Sequence, residues 1–394
     1  MDKEKIIGML DRVIEYLLYL MVFFIPISKA GIEIVFGITT ALFIIKKILR
    51  PQFTFIKNAT FLFLLIFFTF CALSLFNSGI YLDKSLRALF GKWLQYITIF
   101  ILVVDTLNTP RRLKNAVLVF FFTGSLIAID AIWQKFFGID FLRQRALVSY
   151  KFITASFENQ NSLAAYLVPV LSLVLACVLG YQLKRARRFI LLLSCLLIGL
   201  CLVLTSSRGA WLGFFTGLAL MAFLSHKIKI FLVVVFSFTA ILFLIPDSRI
   251  RIINTFQYRD SGERLELSQS ALGMVRDNPF LGKGLGTFMS HFREYAHIEG
   301  IYYAHNSYLQ MAAEAGVFTL LFFLLFAGSI LYKAMHSFKE NHDYILLGLI
   351  SGVVGFLTHA FFDNHLYSLQ LVVLFWFLLG LTQAAANLKE AQAK

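Results

Sequence analysis

Charged residues, prolines and cysteines are scarce in this sequence. Asp, Glu, Lys and Arg make up only 15% of its 394 residues, whereas 59% of the residues are hydrophobic. Soluble globular domains contain about 25% charged and about 45–50% apolar residues, so this composition excludes a chain built of soluble domains. The hydrophobic excess instead indicates an integral membrane protein.

The few cysteines and acidic residues exclude further classes of site. The cysteines lie inside apolar runs, where they are typical of small buried residues rather than of a disulfide framework or a zinc site; they are Cys71, Cys177, Cys195 and Cys201. No HExxH or DxD motif and no basic recognition helix occur, so we expect no metal, no cofactor and no nucleic-acid partner. The 22 acidic and 36 basic residues leave a net charge of +14, which could reflect an anionic partner, an orientation signal or both.

Apolar runs that are long enough for a helix to cross the roughly 30 Å hydrocarbon layer recur along the chain. They predict an all-α, polytopic integral membrane protein with about twelve transmembrane helices, in a single transmembrane domain that covers residues 1–394. The predicted spans are 13–28, 31–49, 59–78, 86–104, 113–137, 161–181, 189–205, 209–225, 228–246, 306–332, 343–362 and 366–386.

The distribution of basic residues predicts the orientation of these spans. When both termini are placed in the cytoplasm, more than half of the 36 Lys and Arg residues fall on the cytoplasmic side, as the positive-inside rule requires. A second apolar run follows the first without a small-residue cleavage site, so we expect no cleaved signal peptide. Much of the net charge therefore sets the topology and is not evidence for an anionic ligand.

One long outer segment, residues 247–305, interrupts the pattern between spans 9 and 10. Long loops in compact proteins are usually functional or disordered, and this one has the signals of a folded segment. A capping-box-like start at Asp260 and Glu263 and a stop at Asn278-Pro279 predict an amphipathic helix that could roof a cavity. The apolar residues that we expect on one face of this helix are Leu265, Ala271, Leu272 and Val275.

Three polar residues at the outer boundary are candidates for chemistry. Arg208 lies in a tight turn between two apolar runs, where it either snorkels to lipid headgroups or binds a diphosphate, which a guanidinium contacts bidentately. Arg264, near the start of the loop helix, is either a surface residue paired with a glutamate or a second ligand. His305 ends the loop, where it is either an interfacial residue or a general base.

Polar neighbours of His305 are weaker candidates. Asn306, Tyr308 and Gln310 could bind hydroxyl groups. Glu314 lies at a depth where a carboxylate is costly without a partner, and we expect it to be a structural anchor to an arginine.

Two further groups resemble binding motifs without matching them. Residues 282–286 are glycine-rich but match neither G-x-G-x-x-G nor the P-loop, so a flexible turn is the favoured interpretation. His291 and His297, and the cluster of His359, Asp363 and His365 at the last outer turn, lack the i, i+4 spacing of a helical metal pair.

Taken together, several short motifs resemble the O-antigen ligase/polymerase superfamily. In chain order, they are Phe157-Glu158-Asn159-Gln160-Asn161, Ser206-Ser207-Arg208-Gly209, Ser261-Gly262-Glu263-Arg264, Asn278-Pro279-Phe280-Leu281-Gly282-Lys283-Gly284, His305-Asn306-Ser307-Tyr308-Leu309-Gln310 and Glu314-Ala315-Gly316. The resemblance implies an inverting, metal-independent glycosyltransferase of the GT-C type. It also implies an undecaprenyl-diphosphate-linked glycan as donor and an active site on the periplasmic face of the bacterial inner membrane.

The resemblance further implies roles for individual residues. Arg208 and Arg264 match the family arginines that bind the donor diphosphate, and His305 matches the histidine that activates the acceptor hydroxyl. Asn161, Asn306 and Glu314 are possible accessory residues.

The acceptor separates the members of the superfamily. The acceptor is lipid A-core for the ligases, a second lipid-linked glycan for the polymerases and protein for the O-oligosaccharyltransferases. A lipid A-core:O-antigen ligase is our first expectation, because the outer loop is of moderate length and no large additional periplasmic domain for a protein acceptor is present. An O-antigen polymerase, which joins lipid-linked repeat units, is the alternative. A transporter or flippase of lipid-linked glycans would also need arginines in a cavity. Transporters commonly have inverted repeats and broken helices near the bilayer midplane, whereas the candidates here concentrate at one face.

Overall fold

The computed structural model describes residues 3–52, 59–147, 152–245, 249–250, 261–296 and 303–393, and only the backbone of residues 261–264 and 391–393. Within these ranges the chain is helical and contains no β-strand. The helices are α1 Lys3–Phe24, α2 Lys29–Leu49, α3 Ala59–Leu73, α4 Leu82–Ala88, α5 Leu94–Thr106, α6 Pro110–Phe137, α7 Gln160–Gly180, α8 Arg185–Leu204, α9 Arg208–Ser225, α10 Ile228–Leu244, α11 Ser261–Asp277, α12 Phe288–His291, α13 Ser307–Ala315, α14 Val317–Asn341, α15 Tyr344–Ala360 and α16 Leu369–Ala393.

Eight helical segments of the described chain are long and apolar enough to cross a membrane. They are Ala59–Asn77, Gly79–Thr106, Pro110–Phe137, Gln160–Gly180, Arg185–Leu204, Arg208–Ser225, Val317–Asn341 and Leu369–Glu390. Two shorter apolar helices, α10 and α15, have 17 residues each. The first two predicted spans correspond to α1 and α2, which contain charged side chains. The described part of the chain is therefore all-helical, and the protein is a multi-pass membrane protein, while the number of twelve spans stays a prediction.

The predicted span 306–332 is divided into two helices. Helix α13 ends at Ala315 and α14 begins at Val317, with Gly316 between them at φ 86°. A Cβ atom at Gly316 would lie 2.0 Å from the carbonyl oxygen of Phe280. Because only glycine allows both this backbone angle and this approach, the prediction of one continuous helix was wrong here.

The centre of the bundle consists of α7 and α16, whose side chains are almost entirely buried. Helix α15 packs against α7 and α9. At the α9 contact, Cβ atoms added at Gly213 and Gly217 would lie 2.4 Å and 2.3 Å from the carbonyl oxygens of Gly355 and Ser351. Such small residues let helix backbones approach closely, and this contact fixes where α9 begins.

A buried ion-pair network ties α1, α2 and α5 together. Lys46 Nζ lies 2.6 Å from Asp11 Oδ1 and 2.9 Å from Asp105 Oδ2, while Lys47 Nζ lies 2.6 Å from Asp105 Oδ1. Both lysines are among those that the charge distribution places on the cytoplasmic side. Here they also neutralise carboxylates that would be costly to bury alone.

Candidate active site

His305 forms the centre of a polar cluster at one end of the bundle. Its Nδ1 atom lies 3.2 Å from Oδ1 of Asp363, and Asn161 Nδ2 donates a hydrogen bond of 2.8 Å to Oδ2 of the same carboxylate. Asn364 N donates to Asp363 Oδ1 at 2.8 Å. The carboxylate therefore contacts a histidine on one oxygen and an amide on the other.

Three chain segments that are far apart in sequence supply this cluster. Asn161 lies in the first turn of α7, His305 directly precedes α13, and Asp363 lies in the turn between α15 and α16. Ser307 ties the last two together, because its Oγ donates to the carbonyl oxygen of Asp363 at 2.8 Å and accepts from Leu366 N at 3.3 Å. The backbone of His305 has φ 47°, a region that non-glycine residues seldom adopt and that is frequent at functional sites.

Burial and charge act on the titratable groups of the α15–α16 turn. Burial disfavours the ionised form of Asp363, but the hydrogen bonds from His305 and from the backbone N–H of Asn364 favour it and hold the pKa of the carboxyl well below its ordinary value. Burial lowers the pKa of His365 to about 4. At neutral pH the turn therefore presents an ionised carboxylate to His305 and keeps His365 neutral.

Arg208 is the first residue of α9, after a turn of only three residues from the end of α8. Its neighbour Gly209 has no space for a side chain, since a Cβ atom there would lie 2.9 Å from His359 Cδ2 and 3.0 Å from Phe362 Cβ. Phe362 directly precedes Asp363. The structure thus brings the turn that carries Arg208 beside the turn that carries the partner of His305.

The side chain of Arg264 lies outside the described residues, and the structure gives only its backbone, in the first turn of α11. Helix α11 packs against α13, and a buried cluster contains Leu267 together with Ala304, the residue directly before His305. The start of α11 therefore lies on the same side of the molecule as His305.

The buried face of α11 agrees with the expected one at Ala271 and Val275, and differs from it at Leu265 and Leu272. Leu267, Ala271 and Met274 are buried, whereas Leu265 and Leu272 are exposed. The cause is that α11 packs against α13 and against the segment that contains Phe288 and Phe292. These contacts bury the residues at positions i, i+4 and i+7 of α11, rather than the face that we expected for a helix on the membrane surface.

Glu314 anchors the glycine-rich turn at residues 282–286. Its carboxylate accepts hydrogen bonds from Gly286 N at 2.8 Å, from Phe288 N at 3.3 Å and from Gln310 Nε2 at 3.1 Å. The partners that the carboxylate needs at this depth are thus backbone N–H groups and an amide, rather than the expected arginine. The turn is docked on the end of α13, where Lys283 N and Gly284 N donate to the carbonyl oxygens of Ala313 and Glu314 at 2.9 Å each.

The other polar neighbours of His305 have structural partners. Asn306 caps α13, because its Oδ1 accepts from Tyr308 N at 3.0 Å and from Leu309 N at 3.1 Å. Tyr308 OH donates to Leu357 O at 2.6 Å, and Gln310 bonds to both Glu314 and Asn364. These contacts order the α13 start beneath His305.

Asp363 is the residue of this cluster that sequence reasoning missed. It was noted only as part of a cluster that lacks metal-ligand spacing, although a carboxylate in a short turn beside two histidines is itself a signal. A second signal was the spacing of Gly209, Gly213 and Gly217, which predicts a close helix contact on one face of α9.

Part of the chain is similar to a known protein family. Residues 193–324 match a family model described as O-antigen ligase. No curated protein matches the chain. The matched segment includes Arg208, Arg264 and His305, while Asn161 and Asp363 lie outside it. The match confirms the resemblance that the motifs predicted and supports a ligase- or polymerase-type role in handling O-antigen. Through residues 193–324, about a third of its length, the chain is therefore similar to the O-antigen ligase family.

Proposed function

We propose that the chain is an inverting glycosyltransferase that transfers O-antigen polysaccharide from undecaprenyl diphosphate to a sugar hydroxyl of lipid A-core. The observation that best supports this function is the contact of His305 with Asp363 beside the turn that carries Arg208. In this proposal the protein has twelve spans and the GT-C architecture in the bacterial inner membrane. Both termini are cytoplasmic and the His305 end faces the periplasm.

His305 acts as the general base. With Nδ1 donating to the Asp363 carboxylate, Nε2 is the ring atom that accepts the proton of the acceptor hydroxyl. Asp363 touches no substrate in this scheme and is a positioning residue, itself held by Asn161. The carboxylate also stabilises the imidazolium that forms when the proton arrives.

Arg208 and Arg264 bind the diphosphate of the donor. As the acceptor oxygen forms its bond to the anomeric carbon, the bond from that carbon to the diphosphate oxygen breaks, and the diphosphate leaves with the electron pair. Two guanidinium groups stabilise the charge that develops there, because they stay protonated and contact phosphate oxygens bidentately. A single attack from the face opposite the diphosphate inverts the anomeric configuration.

The test is transfer by the purified protein from a lipid-linked glycan to lipid A-core, with no divalent metal added. We expect a joined product, its loss in His305→Ala, and no effect of EDTA. His336→Ala is the matched control, because it removes an exposed histidine of α14 far from the cluster. Full activity of a folded His305→Ala protein, or inhibition by EDTA, would refute this mechanism.

The acceptor assay separates the ligase from the polymerase. Lipid A-core and a second lipid-linked glycan are offered separately to the same preparation. Product on lipid A-core alone supports the ligase, whereas product on the second glycan alone identifies a polymerase. Passage of the lipid-linked glycan across a vesicle membrane without formation of a glycosidic bond would instead identify a transporter.

A further inference from the structure

A cavity of about 720 Å³ lies at the end of the bundle opposite to His305. Helix α7 begins at the His305 cluster with Asn161, and the cavity is at its other end, at Cys177. Helix α16 follows the Asp363 turn, and the cavity again is at its other end, at Leu388. The starts of α6, α8 and α15 complete its wall. None of its lining residues belongs to the candidate active site.

The walls of this cavity are apolar. Leu113, Val117 and Phe121 line it from one face of α6, and Ile190 and Leu191 line it from α8. Leu118, at its edge, is half exposed on the outside of the bundle. In a membrane protein, a half-exposed apolar side chain on the outside of the helix bundle, such as Leu118, lies next to lipid. The cavity therefore has a volume typical of ligand pockets and adjoins the acyl region of the bilayer.

The rim of the cavity is basic. Lys114 and Arg187 line it, and no ion pair to either is formed by the parts of the chain that the structure describes. The one acidic lining residue, Asp343, is already engaged: Lys389 Nζ lies 3.2 Å from its Oδ2, and Tyr181 OH donates to its Oδ1 at 3.1 Å. The rim therefore carries two positive charges that the cavity itself does not neutralise.

We propose that this cavity binds an anionic phospholipid of the leaflet opposite to His305. The acyl chains lie between α6 and α8, and the phosphate lies at Lys114 and Arg187. Charge complementarity selects an anionic headgroup, since basic pockets between transmembrane helices bind phosphate-bearing lipids, and the apolar walls require the acyl chains. A free anion would contact only the basic residues of the rim, and an uncharged amphiphile would contact only the apolar walls.

The experiment measures lipid binding by native mass spectrometry on the full chain in detergent. The probes are phosphatidylglycerol, phosphatidylcholine with the same acyl chains, and inorganic phosphate. We expect phosphatidylglycerol to bind at least tenfold more tightly than phosphatidylcholine, and inorganic phosphate neither to bind nor to compete. Each basic residue contributes about fivefold to binding, so the double variant Lys114→Gln/Arg187→Gln should lose roughly 25-fold.

Two further variants make the result specific. Lys184→Gln/Arg188→Gln removes the same charge from the same region without touching the cavity lining, and we expect it to bind normally. Leu118→Trp fills the edge of the cavity while the charges remain, and we expect it to weaken binding. Equal affinity for the two lipids, equal losses in the two double variants, unchanged binding by Leu118→Trp, or competition by inorganic phosphate would each overturn the proposal. The assay involves no glycosyl transfer, so its outcome is independent of the proposed reaction.

Discussion

Replacement of Asp363 tests whether the carboxylate supports catalysis through His305. In Asp363→Asn, the side-chain oxygen can take the place of Oδ1 and keep the contacts with His305 Nδ1 and Asn364 N, which are 3.2 Å and 2.8 Å long. The new NH₂ group then faces the NH₂ group of Asn161, and two donors cannot bond to each other. Rotation of the Asn161 amide by half a turn presents its oxygen instead and restores a hydrogen bond. This variant therefore removes the charge and largely keeps the geometry, whereas Asp363→Ala removes both.

The expected size of the effect follows from these contacts. A hydrogen bond to a charged group contributes about 1.5–3 kcal/mol, and about 1.4 kcal/mol corresponds to a factor of ten. Loss of the charge alone in Asp363→Asn should therefore lower kcat by roughly 10- to 100-fold. Loss of orientation as well, in Asp363→Ala, should bring the decrease to about 10²- to 10⁴-fold, the usual contribution of a positioned general base.

The assay is steady-state transfer from the lipid-linked donor, with thermal denaturation of each variant in detergent. We expect kcat to fall and KM for the donor to stay unchanged, because Asp363 does not contact the diphosphate in the proposed scheme. Asp83→Asn is the control, since it removes an acidic residue from an exposed ion pair with Arg87. A folded Asp363→Ala protein with normal kcat, or a loss confined to KM, would refute the positioning role.

Three further predictions concern the structure that holds this site. Gly213→Ala should destabilise the fold by about 1–3 kcal/mol and lower activity, because the added Cβ atom would lie 2.4 Å from Gly355 O. Gly199→Ala is the control and should leave the stability unchanged, because a Cβ atom there has nothing within 4 Å. Equal melting temperatures of the two variants would contradict this packing. Glu314→Ala leaves buried donors such as Gly286 N unpaired, so it should cost about 1–3 kcal/mol per donor, and an unchanged denaturation curve would exclude the anchoring role. The buried His365 has a pKa of about 4 against an ordinary value of 6.5, so between these pH values only the unfolded state takes up its proton. The free energy of unfolding should therefore rise by on the order of 3 kcal/mol from pH 4 to pH 6.5, and a pH dependence that is the same in His365→Gln would contradict this.

The helical, multi-pass character of the protein could be predicted because it depends on a local property, the length of apolar runs. The break at Gly316 could not be predicted in that way. It arises from the carbonyl oxygen of Phe280, which belongs to a distant loop and approaches the backbone where a continuous helix would have a side chain. The hydropathy of a segment does not indicate which distant loop packs against it.

The candidate site was predictable where one residue carries the signal. Arg208 and His305 stand out because they are polar at the ends of apolar runs. The support of His305 was not predictable in the same way, since Asn161 and Asp363 are 202 residues apart and Asp363 is 58 residues from His305. The pairing of these side chains depends on how α7 and α15 pack, which no local pattern determines.

The net charge of +14 is a poor guide to what this protein binds, because its basic residues have different physical tasks. Lys46 and Lys47 neutralise Asp11 and Asp105 inside the bundle, so they have little capacity left for a ligand. Lys114 and Arg187 face an apolar cavity, where the surroundings favour an anion with acyl chains. Arg208 starts a helix beside the Asp363 turn, where the proposed mechanism places the donor diphosphate next to the acceptor of His305. The position of each charge in the packed helices, rather than the number of charges, therefore distinguishes the proposed lipid site from the proposed reaction site.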